Sequence, residues 1–210
     1  MLTRENMPTT RVTKPVTIAA NSGDEFHTDI VLPGWDRFDT DPRREPAYSR
    51  RMSSTVDPSD TPALIDPRLA GLAHRVVRHG PVSSLEEAAK MRGLTPAQVI
   101  KTMVIRRGAE DYVFVLVPGD RNISWPKLRQ HLGVNRLSMP DAEEARDATG
   151  YARGTITPLG STHSWPVISD EAVIGEVSLG GGAHGVSITV DGAELVTALG
   201  AEVADVTEPV

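Results

Sequence analysis

Cysteine is absent from the 210 residues. Disulfides, zinc–thiolate sites and a thiol nucleophile are thereby excluded, and the composition fits a reducing compartment, with the cytoplasm as the expected location. Aromatic residues are only 4% of the chain against 39% hydrophobic residues, so the core must be mainly aliphatic. No apolar run approaches the roughly 18 residues that a membrane span needs. Arg4 and Glu5 are not followed by the apolar stretch of a secretory signal. The six histidines, at 27, 74, 79, 131, 163 and 184, show neither H-x-x-x-H nor H-E-x-x-H spacing, so no metal is expected. No G-x-S-x-G elbow is present to anchor a serine-hydrolase triad. A net charge of −6 argues against strong nonspecific nucleic-acid binding and leaves only a local basic patch open. Neither a membrane nor a DNA partner is expected.

What is present divides the chain in two. Residues 1–61 carry recurrent Pro, Thr, Asp and Arg without a periodic apolar face, and read as a disordered polar extension. Eight of the 22 basic residues lie there, with Arg43, Arg44, Arg50 and Arg51 close together as an RNA contact or a solvated tail. Met52 offers a second candidate start of translation, on which the first 51 residues would be an artefact of the assigned start. Residues 62–210 form a single domain of ordinary size. Order is expected to begin near Leu64–Asp66, with Leu69, Leu72, Val76 and Val77 at helical spacing. Ser84 and Glu87 have capping-box spacing before a short helix that Gly93 stops.

Val99–Arg106 reads as a strand, and Asp111–Pro118 as its hairpin partner, apolar enough to be buried on both faces. Lys101 shares a face with Val99, Met103 and Ile105, so its ammonium must snorkel, find an anion or line a cavity. Ser124-Trp125-Pro126 and Pro140-Asp141 open two further helices. Lys127, Arg129 and Arg136 form a phosphate-facing patch or a solvated helix face, and Arg136–Met139 reads as a short strand. Strands at Pro166–Ser169, Val173–Leu179, Val186–Val190 and Glu202–Val206, with a helix at Gly192–Leu199, complete an α+β pattern with a mixed, curved sheet.

Two glycine-rich stretches stand apart. Thr149–Gly160 (TGYARGTITPLG) combines Gly150, Gly154, Pro158 and Gly160 with stiff Thr155, Ile156 and Thr157. It is either an ordinary Gly/Pro connection or a shaped wall of backbone N–H groups. Gly180–Gly185 (GGGAHG) fits G-x-G-x-x-G literally, but the strand-like VSITV that follows excludes a dinucleotide fingerprint, which needs a helix there. These glycines let backbone pass close to a ligand or another strand.

The Gly154–Pro158 segment resembles the Gly-x-x-x-Pro loop of the YbaK/EbsC family of aminoacyl-tRNA editing domains. Residues 85–106 (LEEAAKMRGLTPAQVIKTMVIR), Val115–Asp120 (VLVPGD), Val167–Glu171 (VISDE) and Gly180–Asp205 fall in that family's order, so the resemblance spans Asp66 to Val206. It implies the curved-sheet fold of the prolyl-tRNA synthetase editing domain. It also implies trans-acting hydrolysis of the ester in mischarged aminoacyl-tRNA, by positioning and backbone oxyanion stabilisation, without a cofactor. By resemblance, Lys101 and Gly154 are the catalytic positions. Thr155, Ile156, Thr157, Pro158, Asp170, Gly180, Gly181 and Gly182 are then the substrate-binding ones. The partners implied are the acceptor end of mischarged tRNA and an aminoacyl-tRNA synthetase. A non-catalytic tRNA- or partner-binding module with the same fold is the alternative. Many relatives carry glycine where this chain has Thr155, a departure that bears on specificity; Thr155 and Leu159 are expected to narrow the pocket towards small aminoacyl groups.

Overall fold

The computed structural model describes residues 60–210 apart from 81 and 83, so nearly all of the 1–61 extension, its arginine cluster and Met52 included, lies outside the described residues. In chain order the first elements are α1 (Pro67–Ala70), β1 (His74–Arg78), α2 (Leu85–Arg92), β2 (Ile100–Gly108), β3 (Asp111–Pro118) and β4 (Arg121–Ile123). They are followed by α3 (Trp125–Leu132), α4 (Ala142–Thr149), β5 (Val167–Asp170), β6 (Glu176–Gly180) and β7 (Val186–Asp191). The chain closes with α5 (Gly192–Leu199), β8 (Glu202–Ala204) and β9 (Thr207–Pro209).

Helix ends follow local chemistry. Ser84 accepts the Glu87 N–H at 3.2 Å to open α2. Asp141 accepts those of Glu143 and Glu144 at 3.0 and 2.9 Å, and Asp191 plays the same part for α5. Each of α2 to α5 ends on a glycine of positive φ, the conformation that lets the next N–H return to the last turn.

The central sheet has the order β2-β3-β5-β8 and is mixed: β2 and β3 form the antiparallel hairpin, while β3–β5 and β5–β8 are parallel. A second, antiparallel sheet runs β1-β7-β6, and β4 pairs with β9. A parallel bridge between Val99 and Ser178 links the first two sheets at their edges. Alternation along β3 sends Phe114 and Leu116 into a core shared with β6, β7, α5 and Leu69. Val113, Val115 and Val117 enter a second core with Leu128 of α3, Ile168 and Val206. The strand is thus buried on both faces, as its apolar run requires.

One expected element is different. The Leu69–Val77 spacing predicts a helix, but α1 stops at Ala70 and residues 74–78 are a strand on β7, with Val76 opposite Ile188. Gly71 interrupts the helix, and β-branched Val76 and Val77 pair with a waiting sheet edge, so tertiary pairing overrides local periodicity. Arg136–Met139, expected as a strand, makes one bridge, Ser138 with Arg106. Packing reaches back to Thr61, whose hydroxyl donates to the Gly181 carbonyl.

Asp66 ties the start of this domain to its distal loop. Its side chain accepts from the Arg68 backbone N–H at 2.8 Å, from the Arg68 guanidinium at 2.7 Å and from the Gly160 N–H at 2.5 Å. Burial pushes its carboxyl up, but those hydrogen bonds and the Arg68 charge outweigh burial and leave it below its ordinary 3.8. A carboxylate with a depressed folded value stabilises fully above its unfolded value and loses that contribution as pH falls through the folded one. Stability measured by denaturant titration should therefore decline as pH drops below 3.8. Asp66→Asn should flatten that acid limb and cost about 1.5–3 kcal/mol at neutral pH.

Candidate active site

The loop from Tyr151 to Gly160 is held from behind. The Tyr151 hydroxyl donates to the Leu159 carbonyl at 2.7 Å, and Arg68 donates to the Pro158 carbonyl at 2.8 Å. At Gly160, φ is +63°, and an added Cβ would lie 2.3 Å from the Pro62 carbonyl carbon and oxygen, so only glycine fits. Thr155 and Thr157 are buried, with the Thr155 hydroxyl donating to the Ala152 carbonyl at 2.8 Å and the Thr157 hydroxyl accepting from the Leu159 N–H at 3.4 Å. With Thr155 and Thr157 turned inward, the loop offers its backbone between them. Gly154, φ +89°, is exposed. Among the described residues, the N–H groups of Gly154 and Ile156 have no acceptor.

Facing this loop is the free edge of β2. Arg106 exchanges both backbone hydrogen bonds with Ser138, at 2.8 and 3.2 Å, so its N–H and C=O point away from β3. By the two-residue period, Val104 and Thr102 turn theirs the same way. Between edge and loop lies a cleft of about 660 Å³, bordered by residues 99–104, the approach to and first turns of α4 (Met139, Pro140, Ala142, Ala145), Arg153, Gly154, Ile156, Gly180 and Arg92. The Thr102 hydroxyl is buried there without a hydrogen-bond partner. Burial lowers the pKa of Arg92 from its ordinary value, and its Nε also lacks a partner.

A second cavity of about 650 Å³ is lined by Glu110, Asp141, Glu143, Glu144 and Asp147 beside Tyr112, His163 and Trp165. The two are similar in size but opposite in charge. A cavity walled by five carboxylates repels an anionic ligand, whereas among the described residues the walls of the cleft at the loop carry Arg92 and Arg153 with a single acid, Asp141.

Residues 79–198, more than half of the chain, match the sequence profile of the aminoacyl-tRNA editing domain. The chain belongs to that family. The proline–tRNA ligase of Desulforamulus reducens is 33% identical over 122 residues, which are 58% of this chain and 21% of the ligase. That of Heliobacterium modesticaldum is 29% identical over 132 residues, 63% of this chain and 23% of the ligase. This editing domain therefore spans about a fifth of the length of those relatives. The crystal structure of a candidate trans-editing enzyme for prolyl-tRNA synthetase superposes with a TM-score of 0.61 at 28% identity, covering 67% of this chain and 95% of that one.

Of the residues singled out in the sequence, the editing domain gathers Lys101, Gly154, Ile156 and Gly180 around the cleft. Lys101 borders it, but its cross-strand neighbour is Val117, so its side chain stands on the face of the second core. Its ammonium donates to the carbonyls of Gly119 and Arg121 at 3.1 and 2.5 Å. Burial lowers its pKa, while Asp120 pushes it up. Thr155, Thr157, Pro158 and Leu159 lie behind the cleft wall, so the expected narrowing by Thr155 and Leu159 is not what their placement provides. Asp170 is buried at the end of β5, accepting from the Val206 and Ala172 N–H groups at 3.2 and 3.1 Å. Gly181 and Gly182 pack against Val186, Tyr151 and Thr61 where side chains would collide. No motif or spacing singles out Thr102 or Arg92. Thr102 follows the lysine directly, and period-2 alternation puts it on the opposite face of the strand, the one signal that points to it.

The two loop glycines should respond differently. An alanine Cβ at Gly154 meets nothing nearer than the His184 ring at 3.7 Å, so Gly154→Ala carries only the φ penalty of about 1–2 kcal/mol. Gly160→Ala adds a backbone collision and should cost about 3 kcal/mol or more, or prevent folding. Paired thermal melts check the order.

Proposed function

We propose that this editing domain hydrolyses the ester bond of mischarged aminoacyl-tRNA, with tRNA for proline as the first candidate. The observation that carries the reading is the cleft itself: it is bordered by Gly154 and Ile156, whose N–H groups have no acceptor among the described residues, and by Thr102, whose buried hydroxyl has no partner there. Water adds to the ester carbonyl, and the carbonyl oxygen, gaining negative charge, is received by the loop N–H groups. The tetrahedral intermediate collapses by breaking the bond to the terminal ribose oxygen, which takes one of the water's protons and leaves as a hydroxyl; the free amino acid departs as its carboxylate, the second proton passing to solvent. An aminoacyl ester is already activated, so holding water and carbonyl in register supplies much of the acceleration. Thr102, with hydrogen-bonding capacity to spare, is the group we assign to orient the water. Lys101 acts as a positioning residue, tying the cleft-edge strand to the turn at Gly119–Arg121. The likeness to a segment of proline–tRNA ligases supports a prolyl-tRNA synthetase as functional neighbour.

The test is release of amino acid from a panel of mischarged tRNAs by the purified chain. Turnover on at least one, undiminished by chelator, supports the proposal; stable retention of every charged tRNA supports a binding module instead. Thr102→Val is the sharper probe. Removing an unsatisfied buried hydroxyl while keeping its shape should leave the melting temperature equal or higher. The same change should lower kcat/KM about tenfold, equivalent to roughly 1.4 kcal/mol. A variant that loses stability and keeps turnover would remove Thr102 from the mechanism.

A further inference from the structure

Beside the cleft runs a second groove, of about 520 Å³, sharing Arg92, Gly154 and Gly180 with it and continuing past His79, His184 and Gly185. Among the described residues no carboxylate lines this groove, and its one permanent charge there is Arg92. That charge is poorly matched. NH1 reaches the Ser178 hydroxyl only at 3.4 Å, NH2 reaches His79 Nε2 only at 3.5 Å, and Nε has no partner. The other His79 ring nitrogen, Nδ1, lies 2.7 Å from the Gly80 carbonyl; in the tautomer that donates there, Nε2 faces Arg92 as an acceptor. A half-buried guanidinium with long, neutral contacts is completed by an oxygen anion that takes two of its N–H groups at once.

We infer that Arg92 holds a phosphodiester of the single-stranded RNA end whose esterified terminus occupies the cleft. This rests on the deacylase reading for the contents of the cleft. The continuity of the two spaces makes a strand the fitting ligand: a polymer whose last unit sits at Gly154 must leave by an open path, and this path carries a cation at the junction. The net charge of −6 for the whole chain makes the acid-free groove a local exception to its surroundings.

The experiment compares wild type, Arg92→Gln and Arg92→Lys. Binding of uncharged tRNA is followed by fluorescence anisotropy across a salt series, and hydrolysis is measured on mischarged tRNA and on aminoacyl-adenosine, which has no phosphodiester. Arg92→Gln should weaken tRNA binding about tenfold and reduce the slope of log affinity against log salt by about 0.7, the value for one phosphate on a single strand. Its loss on tRNA should exceed its loss on aminoacyl-adenosine by about tenfold, and Arg92→Lys should retain the wild-type slope. If Arg92→Gln does not fold, Arg92→Met, which keeps the apolar stem, takes its place. Unchanged affinity and slope, or equal losses on both substrates, would overturn the inference. Inorganic phosphate displacing tRNA at equal concentration would also overturn it, in favour of a free-anion site. Should wild type hydrolyse neither substrate, the deacylase reading falls while the anisotropy series still decides Arg92.

Discussion

A single carboxylate, Asp66, holds the start of the described chain to the loop on which the cleft depends. It is almost wholly buried, and each hydrogen bond it accepts fixes a different part of the backbone. The Arg68 N–H starts α1, the Arg68 guanidinium is drawn in beside it, and the Gly160 N–H closes the loop. Arg68 in turn reaches Pro158, so one ion pair grips the loop at two backbone points. A charge buried this deeply is tolerated only while its partners stay in place, which makes the loop's shape as persistent as the pair itself. The inward turn of Thr155 and Thr157, and the lack of an acceptor for the Gly154 and Ile156 amides among the described residues, follow from that fixed path.

Much of the architecture could be read from residue pattern, and what could not has identifiable physical causes. The β3 and α5 boundaries, the Ser84, Asp141 and Asp191 caps and the glycine helix ends are local signals with local outcomes. β1 escaped because its outcome is not local; Val76 and Val77 fit helical spacing, and only the edge of β7 makes them a strand. The candidate site shows the same division. Alternation correctly grouped Lys101 with Met103 and Ile105, but the space that matters opens on the hydrogen-bonding edge of β2, which side-chain periodicity does not report. Arg92 gave no spacing signal at all. Its position on a short helix says nothing of the groove that sheet packing builds around it.

Charge is partitioned along the surface so that two cavities of like volume cannot take the same ligand. Acidic side chains concentrate around Tyr112 and Trp165, whose rings meet edge to face at 5.2 Å. The space along β2 and Gly154 retains its cations. For a polyanion approaching a chain of net negative charge, that contrast favours one approach over the others before any contact forms.

The cleft also settles a hazard that any open strand edge poses. Unpaired amides and carbonyls between Val99 and Arg106 are a template on which a foreign chain can add itself as another strand. Here the Val99–Ser178 and Arg106–Ser138 bridges stop the ladder at both ends, leaving only residues 100–105, about the length of one ordinary strand. The Arg153–Ile156 backbone and the start of α4 stand over that interval as walls. An extended segment in mid-chain has no straight run along which to zip, whereas a chain end can enter. The recess that holds open the polar edge for a ligand is thus also what protects the protein from aggregating through it.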